Sequence, residues 1–183
     1  MKAHFELGIN VKKLLEDFKP QVVLELGALV GTNTEQLLSM DSFDLITISA
    51  EPFKIEHPKL TFIQGISYIE IPKLNRQVDV AIIDTDHNYW TIMKELDALM
   101  LKMPERCIIM AHDTVSFGIK DGKGGVNVKT YADNKTPYPR DEIVASPHQG
   151  LWNAMTHFVS GSDFSIIAES KEHSGAMAIG RGL

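Results

Sequence analysis

Two short stretches carry most of the side chains able to do chemistry. One is Asp84-Thr85-Asp86-His87 and the other is His112-Asp113-Thr114. Each directly follows a run of apolar residues, Val78 to Ile83 and Cys107 to Ala111. If both runs are parallel, adjacent strands, their ends converge at one edge of a sheet. Carboxylates gathered there repel one another and are costly to desolvate unless a cation or strong donors compensate. Oxygen-rich ligands suit Mg²⁺, Ca²⁺ or Mn²⁺, and imidazole tilts the set toward Mn²⁺ or Fe²⁺. The constellation is therefore expected to be a divalent-metal site. His87 is the candidate general base, because an unperturbed imidazole titrates near neutral pH. A plainer reading has Asp86 cap a helix that begins near Asn88, with the histidines filling hydrogen bonds.

A second constellation is Glu25-Leu26-Gly27-Ala28-Leu29-Val30-Gly31-Thr32-Asn33-Thr34, which leaves an apolar run and opens a helix. Glycine in a strand-to-helix turn permits tight backbone angles and close approach of a ligand, and a helix start offers free N–H groups. Glu25 disfavours a pyrophosphate and suits a cationic or amino-bearing ligand. The spacing is neither Gly-x-Gly-x-x-Gly nor a P-loop.

Elements that would position these groups are legible as periodicity. Leu7, Val11, Leu14, Leu15 and Phe18 mark one helical face, which Pro20 ends. Short apolar runs at 22–26, 43–49, 60–63, 78–83, 107–111, 164–168 and 176–180 read as strands. Between them lie a helix carrying Leu37 and Leu38, with Thr32 or Asn33 as its cap, and a stripe through Tyr89, Ile92, Met93, Leu96, Leu99, Met100 and Met103. Ser146-Pro147 has the form of a cap and first turn for a helix with Leu151, Trp152, Met155, Phe158 and Val159 on one face. The alternation predicts an α/β fold: a doubly wound, mostly parallel sheet of seven strands ending in an antiparallel hairpin. Ligands of such sheets bind outside the carboxyl ends of the strands.

The 183 residues suit a single domain. A net charge of −6 lacks the basic footprint of a nucleic-acid binder. No apolar stretch is long enough to span a membrane, and the single Cys107 reads as a buried thiol. A cytoplasmic protein with a small-molecule substrate is expected, with a homodimer unremarkable but unsupported. Residues 114–145 are too long for an ordinary connection and fit a substrate lid hinged at Gly118, Gly122, Gly124 and Gly125. Tyr131, Tyr138, Arg140 and His148 are then candidates to face the substrate.

The motif Glu25-x-Gly27-x-x-x-Gly31, with the strand count and closing hairpin, resembles the class I S-adenosylmethionine-dependent methyltransferases, whose fold is Rossmann-like. The resemblance implies that Glu25, Gly27, Ala28, Gly31 and Thr32 surround the methionine part of the cofactor. It also implies that Ser49 and Glu51 lie near the ribose, Ile66 and Ser67 near the adenine, and Asp84 beside the cofactor. In the family an acidic residue usually ends the second strand and an Asp often follows the third-strand glycine. Here Ser49 and Ile66 depart from that pattern. The stretches 78–89 and 108–114 resemble a metal-dependent subgroup, small-molecule O-methyltransferases and cephalosporin-hydroxylase-like proteins, in which an Asp and an acidic pair hold Mg²⁺. Carried over, this places Mg²⁺ (or Mn²⁺ or Ca²⁺) on Asp113 and on Asp86 or Asp84, with Asp86 preferred and with His112 standing in the first place of the acidic pair as a further ligand, and gives His87 and Asp86 catalytic roles. The function implied is metal-assisted O-methylation of a small hydroxylated compound. Two alternatives stay open: a degenerate binding protein on the same fold, and a metal enzyme of another class.

Overall fold

The computed structural model describes residues 9–122 and 128–183, with backbone alone at 128 and 130. Leu7, Gly124 and Gly125 lie outside the described residues. The seven strands are β1 (Val22–Leu26), β2 (Asp44–Ser49), β3 (Leu60–Gln64), β4 (Val80–Ile83), β5 (Cys107–His112), β6 (Ser165–Ser170) and β7 (Ala176–Arg181). They form one sheet in the order β3-β2-β1-β4-β5-β7-β6. β1 to β5 are parallel, and β7 runs antiparallel to both β5 and β6. This is the expected doubly wound, Rossmann-like sheet with its closing hairpin.

Helices cover both faces. On one face α1 (Val11–Phe18) and α2 (Thr32–Ser39) pack Leu15, Phe18, Leu37 and Leu38 against Val23, Leu45, Val80 and Ile108. On the other, α3 (Ser67–Glu70), α4 (Tyr89–Met100) and α7 (Leu151–Ser160) pack Ile92, Leu96, Leu99, Leu151 and Met155 against Leu24, Leu26, Ile48, Ile83 and Ile109. Successive strand residues alternate between these two cores, as a period of two requires. Strands buried on both faces read as unbroken apolar runs, and all five residues of β1 are buried.

Several local expectations give way. The turn before α2 is closed by Gly31 at φ 83°, with no side-chain cap from Thr32 or Asn33. α4 is capped by Asn88, whose side chain accepts the Thr91 N–H at 2.7 Å, so Asp86 is not its cap. Ser146-Pro147 ends a helix instead of starting one, because the residue before proline is pushed to extended backbone. Ser146 (φ −60°, ψ 125°) closes α6 (Arg140–Ala145), and α7 begins behind Gly150. The aperiodic insert also holds α5 (Val128–Asp133), too short for a pattern to stand out. Trp152, expected in the core, is 38% exposed and donates its indole N–H to Glu169 at 3.1 Å.

β1 is anchored at its start by Asp79, whose carboxylate accepts the N–H groups of Gln21 and Val22 at 2.7 and 2.9 Å. Asp79→Ala strands both donors and is expected to cost about 1–3 kcal/mol, measured by urea denaturation.

Candidate active site

The strand order reverses direction between β1 and β4, and a crevice opens at their carboxyl ends. Leu26 is level with Ile83, so Gly27 and Asp84 leave the sheet side by side. A Cβ on Gly27 (φ 84°) would fall 2.0 Å from the Asp84 carbonyl oxygen, so only glycine fits. Beside this contact lies a cleft of about 320 Å³. Gly27, Ser49, Glu51, Ile66, Ser67, Asp84, Asp86 and Tyr131 are among its walls.

The cleft therefore brings together most of the expected cofactor residues, from four different strand ends. Ala28, Gly31 and Thr32 are not in its lining. The bare Cα of Gly31 instead admits Ile55 and Phe53, whose atoms would lie 2.6 and 3.2 Å from a Cβ. Glu25 points to the opposite face, where its Oε2 accepts the hydroxyls of Thr34 (2.6 Å) and Thr47 (2.9 Å). Burial raises its pKa, and the two hydroxyl donors only partly oppose that.

The second constellation assembles one strand further on. Ile83 pairs with Ala111, so Asp84 and His112 are level. Asp84, His87 and Asp113 each offer a ligand atom, all within 4.8 Å of one another. Asp86 lies outside this group. Its carboxylate faces the cleft and accepts the Tyr131 hydroxyl at 3.3 Å. The preference for Asp86 over Asp84 thus fails on geometry: Asp84 is the residue held beside His112, and two residues later the chain has turned away. His112 stands next to the cluster, with Nδ1 3.3 Å from Asp84 Oδ1 and Nε2 2.8 Å from the Ser174 hydroxyl. Asp113 adopts φ 58°, uncommon for a residue other than glycine.

Charge in the cluster is balanced internally. Burial disfavours the Asp84 carboxylate, but His112 and His87 outweigh it and hold its pKa near about 2. Burial pulls His87 down, yet Asp113 and Asp84 lift it to about 9. His112 is raised in the same way, mainly by Asp84. His87 is therefore cationic at neutral pH in the metal-free protein, and cannot serve there as the base expected of an unperturbed imidazole. Its Nε2 sits 2.7 Å from Asp113 Oδ2, but its N–H is not aimed along that line and makes no aligned hydrogen bond. Two carboxylates and an imidazole converging on one point, with a buried nitrogen so misaligned, fit a divalent cation.

Three groups escaped the sequence reading. Phe117 stacks on His87 with centroids 4.5 Å apart. Asp121 accepts the N–H groups of Tyr89 and Gly150, tying the insert to α4 and α7. Glu95, fully buried on α4, is hydrogen-bonded to the hydroxyls of Ser67 and Thr85. It was hidden because a lone Glu within a helical stripe reads as solvent-facing. His148, expected near the site, packs instead against Tyr89 and His157.

A family model described as a methyltransferase domain matches residues 22–114, from the first residue of β1 to just past Asp113. The chain belongs to this family. It is an S-adenosylmethionine-dependent methyltransferase with the class I fold. Solved structures agree on the architecture. A Staphylococcus aureus protein provisionally assigned as a caffeoyl-CoA O-methyltransferase superposes with a TM-score of 0.67 at 12% identity, over 100% of this chain and 85% of that one. The O-methyltransferase TomG from Streptomyces achromogenes, solved with S-adenosylmethionine, gives 0.58 at 12% identity over 92% and 76%. MycE from mycinamycin biosynthesis, solved with Mg, S-adenosylhomocysteine and mycinamycin VI, gives 0.60 at 11% identity over 93% and 48%. No curated protein matches the sequence. The cephalosporin-hydroxylase-like resemblance finds no support among these relatives. No helix among the described residues is long and apolar enough to cross a membrane.

The folded pKa of His87 lies above its unfolded value, so its stabilisation is complete below about pH 6.5 and lost as pH rises through about 9. With a chelator present, the melting temperature of the methyltransferase should fall across that window. His87→Gln should flatten the fall.

Proposed function

We propose that this methyltransferase transfers the methyl group to a hydroxyl oxygen of a small hydroxylated compound, with a divalent cation (Mg²⁺ or Mn²⁺, with Ca²⁺ an inactive fit) at Asp84, His87 and Asp113. The observation that carries this reading is that Asp84 belongs to both sites. It lines the cleft and is a corner of the acidic and histidine cluster. A methyl donor in the one and a hydroxyl in the other would therefore meet across a single side chain.

S-adenosylmethionine supplies an electrophilic methyl group when bound, and a divalent cation lowers the pKa of an oxygen it binds. The protein's own residues do the rest by placement. Gly27 lets the backbone of the first loop approach the ligand without a side chain between them. Asp84 and Asp113 supply negative charge, and His87 is held in place by its stack on Phe117. Asp86 accepts the Tyr131 hydroxyl, which ties α5 of the insert to the lining of the cleft. The insert from 114 to 145 would then serve as the wall that selects the acceptor. The complex of the structural neighbour MycE with Mg and a macrolide-pathway compound supports the reading.

The test has two stages. S-adenosylhomocysteine titrated calorimetrically into the purified protein should bind at micromolar strength or tighter, and Gly27→Arg should abolish it. A panel of catechols, sugars and macrolides with a labelled methyl donor should then show transfer that stops with a chelator and returns with Mg²⁺ or Mn²⁺. Asp84→Ala and Asp113→Ala should each reduce that transfer by about a hundredfold or more. Transfer undiminished by the chelator would exclude the metal-assisted mechanism.

A further inference from the structure

The lining of the cleft includes the hydroxyl-bearing residues Ser67, Thr85 and Thr91. Two of them lead to the same buried carboxyl. Ser67 Oγ bonds to Glu95 Oε1, and Thr85 Oγ1 bonds to Glu95 Oε2 at 2.9 Å. Glu95 itself is fully inaccessible to solvent. The third, Thr91 Oγ1, is buried and has no hydrogen-bond partner among the described residues. Burial of a carboxyl beneath two hydroxyls that open on a cleft has no packing advantage over a leucine at the same place.

We propose that Glu95 is a positioning residue for the adenine of the cofactor: through Ser67 and Thr85 it presents the cleft with one hydroxyl donor and one hydroxyl acceptor, matching the amino and ring-nitrogen edge of a 6-aminopurine. The proposal rests on the cofactor occupying this cleft. The reacting methyl belongs beside Asp84, so the heterocycle extends toward β3, where Ile66 and Ser67 stand.

The logic is a count of protons. A protonated carboxyl has one O–H and one C=O. Its C=O accepts from one hydroxyl, which can then offer only lone pairs to the cleft. Its O–H donates to the other hydroxyl, whose own hydrogen is left for the ligand. A carboxylate would accept from both hydroxyls and leave the cleft two acceptors and no donor. Burial, only partly opposed by the two hydroxyl donors, lifts Glu95 to about 8, so the protonated form prevails at neutral pH. The groups facing it are the Asp86 carboxylate from the loop before α4, Tyr68 on α3 and Tyr131 on α5. Its neighbour Lys94 is directed over the Trp90 ring, 5.5 Å from the centroid.

Glutamine reproduces the donor and acceptor of the protonated acid and cannot ionise, whereas leucine keeps the volume and removes both. The experiment is calorimetric titration of S-adenosylhomocysteine into wild type, Glu95→Gln and Glu95→Leu at about pH 7 and about pH 9.5, with folding checked by circular dichroism. At pH 7 Glu95→Gln should bind within about twofold of wild type and Glu95→Leu about tenfold more weakly. On going to the higher pH wild type should weaken severalfold more than Glu95→Gln. A Glu95→Leu protein that folds and binds like wild type would overturn the proposal. So would wild type and Glu95→Gln weakening in step, a comparison that decides the matter even if the leucine variant does not fold. Failure of folded wild type to bind at either pH would be a separate result, removing the cofactor reading and this proposal with it.

Discussion

Everything at the functional edge depends on how closely the chain leaving β1 can approach the chain leaving β4. The two strands are neighbours in register, and their loops emerge at the point where strand order reverses. The Asp84 N–H donates to Leu26 O at 2.9 Å, and a side chain on Gly27 would collide with the Asp84 carbonyl. Only because Gly27 has no Cβ can Asp84 stand at the junction of the cleft and the cluster. The next register step, Ile83 to Ala111, brings His112 and Asp113 to the same level.

Three buried carboxyl environments then divide the work. Glu25 faces away from the cleft and joins β1, β2 and α2 through Thr47 and Thr34, so its role is to hold the glycine loop from behind. Asp84 and Asp113 face histidines, and Asp84 is held ionised by its own. Glu95 faces only hydroxyls, and burial raises it instead. The same side-chain chemistry is pushed toward different charge states by its neighbours, because desolvation and local donors act in opposite directions.

The described residues of the insert after β5 are tied to the rest of the fold at several points. Asp121 binds backbone donors from both α4 and α7, and Gly122 N–H donates to His87 O at 2.6 Å. Tyr131 is brought from α5 into the wall of the cleft, only 3% exposed. Tyr131 packs edge-on against Tyr138 at 5.4 Å, and Tyr68 packs edge-on against Trp90 at 5.5 Å.

Local pattern determined a great deal here. Apolar runs marked every strand to within two residues, most plainly the central parallel strands β1, β4 and β5, because a strand covered on both faces must be apolar on both sides. Glycine between strand and helix marked the loop that meets the ligand, because the backbone angles of Gly27 suit no other residue. The grouping of Asp84 to His87 with His112 and Asp113 was visible because each stretch ends a strand of the same sheet. Which member of a grouping does what was decided only by the tertiary structure. Asp84 and Asp86 are equivalent in sequence, but the register of β4 against β5 places one in the cluster and the turn after β4 sends the other to Tyr131. Gly31 looks like Gly27, but it makes room for Ile55 from a distant loop. Glu95 sits in an ordinary helical stripe, and only the packing of α3 on α4 puts two hydroxyls over it. Such distinctions depend on contacts between residues far apart in the chain, and periodicity carries no information about them.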